Sequence, residues 1–466
     1  MGNILRAYPR PQPVEHGPPE KARCGAGRRI WSFAHPDGIN RALVWDNGDA
    51  YYGPVNGEDR SGFGIWIGAD GTEIEGTWES DHLQGMALVI QPGGYQSLRR
   101  YAEDRILSDN TSEAMLSRVA QSDILPVSHP TCMLASSGSE TPQCDDISTL
   151  TFGRRVRTRT STPPLYSSSS STKVYIPRAP SQVDTWVVPF EDLVLDKRLS
   201  RHKCPHCSTV YKGMWLGKDV IVRVYSTNVG EIDSNLKQLL TRMARVRHPN
   251  IALFMAAAVS TDKFAIVTEF VYTNALAPLP YTAQHALHVA KGIAVGCSYL
   301  RRQGFAHKNL KPSNVLIDSS TEVKLTDYFI EEFNSVFHRG PCTAEATVSF
   351  VAPESLRRSP FVPFGIDTAS DVFSFGMLCW TLIAGREPYC GLSRAQIRIL
   401  VGYAGYREPR VFLGNLSALT RLIDECLAQD PLQRPTFERL VVALNSMHSS
   451  ANSAAEDALI TFISGR

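Results

Sequence analysis

The sequence predicts a multidomain protein: a small β-hairpin repeat region, a disordered linker, and a larger α+β domain with two lobes. Three observations predict it. Glycines recur 23 positions apart between residues 45 and 95. Serine, threonine and proline dominate from about Ile106 to Gln182, where no helical or strand period persists. From Trp186 to Met447, strand-like and helix-like patterns alternate over a length that suits one two-lobed domain. The boundaries follow as an N-terminal segment 1–24, repeats 25–105, linker 106–185, two-lobed domain 186–448 and C-terminal tail 449–466.

Composition sets the outer limits. The 466 residues are 43% hydrophobic and 20% charged, with a formal net charge of +2, so no global field argues for nucleic acid. Ten cysteines spread over the whole length are too sparse for a disulfide scaffold and suit reduced thiols. The longest apolar run, Ile251 to Val259, is too short to span a bilayer. Gly2 is placed for myristoylation, but Arg6 stands where that motif wants Ser or Thr. The opening lacks the apolar core of a signal peptide. The expectation is a cytoplasmic protein, membrane-peripheral only if the repeats bind lipid.

In the repeat region, Gly48, Tyr52-Gly53, Gly62 and Gly64 return as Gly71, Glu75-Gly76, Gly85 and Ala87. Asn47-Gly48-Asp49 and Asp70-Gly71-Thr72 are tight-turn signals, each followed by residues that suit strands (Tyr51 and Tyr52; Ile74 and Trp78). Such a pattern reads as stacked hairpins, each covering its neighbour's apolar face. It resembles the MORN repeat, with Tyr-x-Gly followed by Gly-x-Gly, and departs from it at Glu75, where an aromatic belongs. The resemblance implies scaffolding or contact with membrane lipid, and so few repeats are expected to dock onto another surface.

The linker cannot bury enough apolar surface to offset its ordering entropy. Within it, Arg154, Arg155, Arg157 and Arg159 precede Thr160-Ser161-Thr162-Pro163. One reading is a phosphorylation site at Thr160 to Thr162 that an adaptor protein binds; the other, which we favour, is a solubilising linker with chance charges.

The third region carries an ordered set of motifs. Thr209-Val210-Tyr211-Lys212-Gly213 and Val220-Ile221-Val222-Arg223-Val224 flank a Gly217-Lys218-Asp219 turn, and Arg247-His248-Pro249-Asn250 closes a helix with Leu236, Leu239, Leu240 and Met243 on one face. Ala265 to Phe270 reads as a buried strand. Then come His307-Lys308-Asn309-Leu310-Lys311-Pro312-Ser313-Asn314, Asp327-Tyr328-Phe329, Ala352-Pro353-Glu354, Asp371 to Gly376, and Asp430 to Pro435. Together, in this order, they resemble the protein-kinase fold, and most closely the tyrosine-kinase-like group of Raf and mixed-lineage kinases.

That resemblance implies a scaffold kept and a chemistry eroded. A kinase positions phosphates and metal and orients the attacking hydroxyl. Here the three phosphate-loop glycine positions hold Lys203, Pro205 and Ser208, and proline even removes an amide donor. The third-strand lysine is Arg223, and its glutamate partner is Leu239. The catalytic base position is Asn309, which has no useful basicity. Lys311 matches the phosphate-contacting lysine, Asn314 and Asp327 match the metal ligands, and Phe329 replaces a flexible glycine. Val210, Ile221, Thr268 and Leu316 line a degenerate nucleotide cleft, where Ile221 stands in place of the usual alanine and is expected to fill purine space. Glu354 with Arg434, Asp371, and the column Met243, Phe254, His307, Tyr328 match the family's structural parts. Pro278 and Pro280 shorten the segment after the hinge. His202-Lys203-Cys204-Pro205-His206-Cys207 is read as a freed loop, because no second ligand pair lies at zinc-site spacing.

The expectation is therefore a catalytically impaired kinase-like module that scaffolds or regulates protein partners, joined by a tether to a docking repeat, with no cofactor and no nucleic acid. One alternative is a weak, unorthodox serine/threonine kinase holding Mg-ATP with Arg223, Lys311, Asn314 and Asp327. Another is a membrane-associated structural protein led by the repeat.

Overall fold

The computed structural model describes residues 28–92, 95–110, 186–199, 208–226, 234–276, 281–318, 322–336, 348–357, 367–411 and 417–449. The linker, Gly2, Cys204, Cys207, Pro278, Pro280 and Thr160 to Thr162 lie outside them.

The glycine-rich region is a nine-stranded antiparallel sheet. Its strands are β1 (Arg29–Ala34), β2 (Asn40–Trp45), β3 (Ala50–Asn56), β4 (Asp59–Arg60), β5 (Gly62–Ile67), β6 (Glu73–Glu79), β7 (His82–Ile90), β8 (Gln96–Ala102) and β9 (Arg105–Asn110). They follow one another across the sheet, with β4 paired only to β3. The repeat has a steric cause. The Tyr51 ring is fully buried, and a Cβ at Gly53 or at Gly64 would overlap it. A Cβ at Gly76 would approach Ala87 Cβ to 2.8 Å. Ion pairs join successive hairpins, Arg60 Nε with Asp81 at 2.6 Å and His82 Nδ1 with Asp104 at 2.8 Å. The Arg60 guanidinium, buried with the side chain only 1% exposed, lies 3.8 Å from the Trp78 ring centroid, so a desolvated cation is matched by a carboxylate and an aromatic face. Gly64→Val is expected to destabilise the sheet by about 3 kcal/mol through overpacking against Tyr51. A lower urea midpoint of the full chain, with an unchanged slope, would show it.

The second region has two lobes. The smaller contains a six-stranded sheet ordered β10-β14-β15-β13-β12-β11, formed by β10 (Val187–Pro189), β11 (Val194–Arg198), β12 (Thr209–Trp215), β13 (Lys218–Ser226), β14 (Phe254–Val259) and β15 (Lys263–Glu269). Helix α1 (Ser234–Arg245) buries Leu236, Leu239, Leu240 and Met243 against it, the face its periodicity predicts. The larger lobe is built on α2 (Ala283–Arg302), capped by the Thr282 hydroxyl, which accepts from His285 N at 3.3 Å. Its Gly292 and Gly296 let β18 (Val323–Leu325) lie close: a Cβ would come within 2.8 Å of Val323 and 2.9 Å of Leu325. Strands β16 (Thr273–Ala275), β17 (Val315–Asp318) and β18 form a small sheet. The chain continues through α3 (Ile330–Val336), α4 (Pro353–Leu356), α5 (Asp367–Ala384), α6 (Arg394–Ile397) running into a π-helical turn at Arg398–Tyr403, α7 (Ser417–Cys426), and α8 over 437–449. One continuous core joins the two lobes.

The sheet of hairpins packs on the larger lobe of its own chain. Ala42, Val44, Ala50 and Ile67 form one buried cluster with Ala395, Ile399, Leu400 and Ala404. The Ser393 hydroxyl, which also caps α6, donates to the Gly48 carbonyl, and Gln396 Nε2 donates to the Trp45 carbonyl at 2.7 Å. Arg398 meets Glu73 at 2.8 Å. The docking surface expected for the repeat is thus supplied in cis. No helix among the described residues is long and apolar enough to cross a membrane.

Candidate functional site

The site lies where β12, β13 and β15 of the small lobe meet the loop after α2 and the turn after β18. Antiparallel register places Val210 opposite Arg223, and Ile221 opposite both Lys212 and Thr268. Leu316 is on β17, opposite Ala275. Val210, Ile221, Thr268 and Leu316 are all half-buried.

Arg223 comes from the middle of β13 and is 6% exposed. Its Nη1 donates to the Ser208 hydroxyl at 2.8 Å, and its Nη2 donates to the Asp327 carboxylate. Leu239, where a glutamate partner would stand, is buried in the core. The cation of the small lobe is therefore matched by the carboxylate expected to hold metal. Asp327 sits at φ 64°, a left-handed conformation uncommon for a non-glycine residue.

The loop carrying Asn309 is fixed from below. Asp371, buried on α5, accepts from His307 N at 2.6 Å and from Lys308 N at 2.8 Å. His307 is buried, and burial pushes its imidazole down to about 4 against the opposing pull of Asp327, so the ring is neutral at physiological pH. Asn314 is buried and donates Nδ2 to the Asn309 carbonyl at 2.8 Å. Its amide thus serves as a loop brace, the hydrogen-bonding role expected of a buried polar group. Lys311 is half-buried beside it.

The turn after Asp327 is only partly legible in the sequence. Tyr328 and Phe329 are each 2% exposed and stand edge-on to one another at 5.4 Å. Phe329 is edge-on to Phe333 of α3 at 5.7 Å, and Phe333 reaches Tyr225 of β13 and Phe264 of β15 at 5.8 and 5.6 Å. An aromatic column thus rises from the turn into the small lobe. The glycine-to-phenylalanine departure at Phe329 is the sequence signal for it, whereas Phe333 carries none.

The larger lobe keeps its fastening. Arg434 meets Glu354 through two parallel bonds of 2.7 and 2.8 Å, and Ser370 Oγ adds a third at 2.6 Å. Burial pushes the Glu354 carboxyl up, but Arg434 and Ser370 outweigh it and hold it below its ordinary value. Among the described residues, no cluster of histidine, cysteine and carboxylate side chains is arranged to hold a metal ion.

A two-lobed domain with these parts in this order has the architecture of a protein kinase. Residues 204–444, more than half of the chain, match the family of protein tyrosine and serine/threonine kinases, and the chain belongs to that family. It is 27% identical over 273 residues to serine/threonine-protein kinase STY17 of Arabidopsis thaliana, covering 57% of this chain and 46% of that protein. It is 28% identical over 283 residues to serine/threonine-protein kinase CTR1 of the same plant, covering 58% of this chain and 33% of that protein. The chain thus spans less than half the length of these relatives.

Proposed function

We propose that the kinase domain is catalytically impaired and acts as a scaffold or allosteric module for protein partners. The observation that carries this reading is the closed set Arg223, Asp327 and Ser208, at the position where a nucleotide and its metal would need those groups free. Magnesium would have to displace a buried guanidinium from Asp327, and Leu239 offers that guanidinium no carboxylate in exchange. Asn309 supplies no base, so even a bound nucleotide would lack general-base help worth ~10²–10⁴-fold. The stacked hairpins, read as MORN-like, serve as a second protein-facing or lipid-facing surface on the same body, and the protein works in the cytoplasm or at a membrane face.

The test is thermal unfolding of the full chain with millimolar ATP and magnesium or manganese, together with phosphotransfer to a generic protein substrate. No nucleotide-dependent shift is expected. Asp327→Asn should itself lower stability by about 2 kcal/mol, because it leaves Arg223 without its carboxylate. Robust phosphotransfer abolished by Asp327→Asn would overturn the reading. It would promote the second one, a weak serine/threonine kinase, which the retained Lys311, Asn314 and Asp327 and the names of the relatives favour.

A further inference from the structure

We infer that the contact between the hairpin sheet and the larger lobe is a proton-sensitive latch built on Glu73, Glu75 and Arg398. Glu73 and Glu75 occupy alternate positions of β6, so their side chains leave the same face of the sheet. That is the face carrying Ile67 and packing on the larger lobe, since Glu73 stands opposite Ile67 and Glu75 opposite Ile65. On the other flank, Glu75 stands opposite Leu88 of β7. The neighbouring strands therefore offer apolar residues at this level. Glu73 is fully buried, and Arg398 meets it at 2.8 Å.

Tyr403 of the π-helical turn lies near both carboxylates, and Tyr52 stacks on it at 5.7 Å. Burial keeps both phenols neutral, pushing Tyr52 up to about 12 and Tyr403 higher. Arg357 lies over the Tyr403 ring at 5.9 Å and bonds the Gly402 carbonyl through Nε. Glu75, half-buried on the same face of β6, thus shares this seam with the Glu73–Arg398 pair. A half-buried carboxylate beside a second, fully buried one is costly while ionised, and the least costly remedy is to take up a proton. Burial, reinforced by repulsion from Glu73 and opposed by Arg398, pushes Glu75 up to about 7.

Linkage fixes the sign. Undocked, Glu75 returns to the ordinary glutamate range near 4.5, so between that value and about 7 the docked state binds the extra proton. Docking strengthens by up to about tenfold per unit as pH falls through this window, and that gain is lost as pH rises to about 7. Above it, the contact stays at its weaker level. His35 and Asp37, at the edge of the same face, pair with each other at 2.9 Å. His35 meets Tyr52 edge-on at 5.8 Å and serves as the control position.

Hydrogen–deuterium exchange of residues 394–406 in the full chain, corrected for intrinsic rates, reads the latch directly. In wild type, protection should rise by roughly thirtyfold from pH 8 to pH 5.5, the change that linkage gives for this window. Glu75→Gln and Glu75→Met should both be protected at pH 8 and nearly flat with pH, and His35→Asn should keep the wild-type profile. Wild type that is flat overturns the proposal. So does a pH trend that survives in both Glu75 variants, or one that disappears with His35→Asn. Two chemically different replacements guard against one of them failing to fold.

Discussion

Arg434→Ala should lower the stability of the kinase domain by about 4 kcal/mol, the typical result of breaking a buried ion pair from one side. Arg434 is 7% exposed, and its side chain makes two parallel bonds to Glu354 while also donating to the Ala428 and Ala369 carbonyls. Removing it leaves a half-buried carboxylate without its cation and three main-chain acceptors, the carbonyls of Ala369, Ala428 and Gln429, to find other donors. For a domain of this size the melting temperature should fall by roughly 10 °C. The difference from wild type should itself depend on pH. Glu354 is held below its ordinary value of 4.5, so the pair stabilises the fold above that value and is lost as pH falls through the lowered folded value. Urea melts of both proteins at pH 7 and pH 3.5 should therefore show a wide gap closing in acid. A gap that stays constant would mean that the loss comes from the carbonyl contacts and packing instead.

Phe333→Ala should cost ~3–5 kcal/mol, the range for deleting a fully buried aromatic side chain. Phe333 has no exposure and touches Tyr225, Phe264 and Phe329, which belong to β13, β15 and the turn after Asp327. The cavity would open between the lobes, so the loss should be accompanied by faster amide exchange in α1 and α3 while α5 and α8 remain protected. A uniform increase across the domain would instead mean that the column only adds to a common core. If nucleotide binding is limited by the tightness of this junction, the same variant is where a magnesium-dependent shift would first emerge.

Much of this architecture is legible in the sequence because it rests on local rules. Turn glycines, alternating apolar residues and the need to clear the Tyr51 ring write the hairpins into a 23-residue period. The kinase motifs lie in order along one domain, and the departures from the family pattern read at Leu239 and Asn309 can be followed position by position. The closed set at Arg223 is half legible: the substitution is visible, but its new partner Asp327 is 104 residues away. The sheet's seat on the larger lobe is not legible. Ser393 and Gly48 are 345 residues apart, and each belongs to a segment whose own pattern is complete without the other. Yet one mark is present. Glu75 breaks the aromatic pattern of the repeat on the sheet face that packs against the larger lobe. An irregularity in a repeat can thus record a neighbour that the repeat alone does not require.

Docking in cis also changes what the stretch between residues 110 and 186 has to do. With β9 and β10 anchored in structures that already hold each other, this stretch no longer sets how far the hairpins can travel. It closes a circuit. The entropy of closing a circuit grows only with the logarithm of its length, so doubling it costs about 0.6 kcal/mol. The hairpins stay joined to the larger lobe through Gly48, Trp45 and Glu73 whatever the length of that connection.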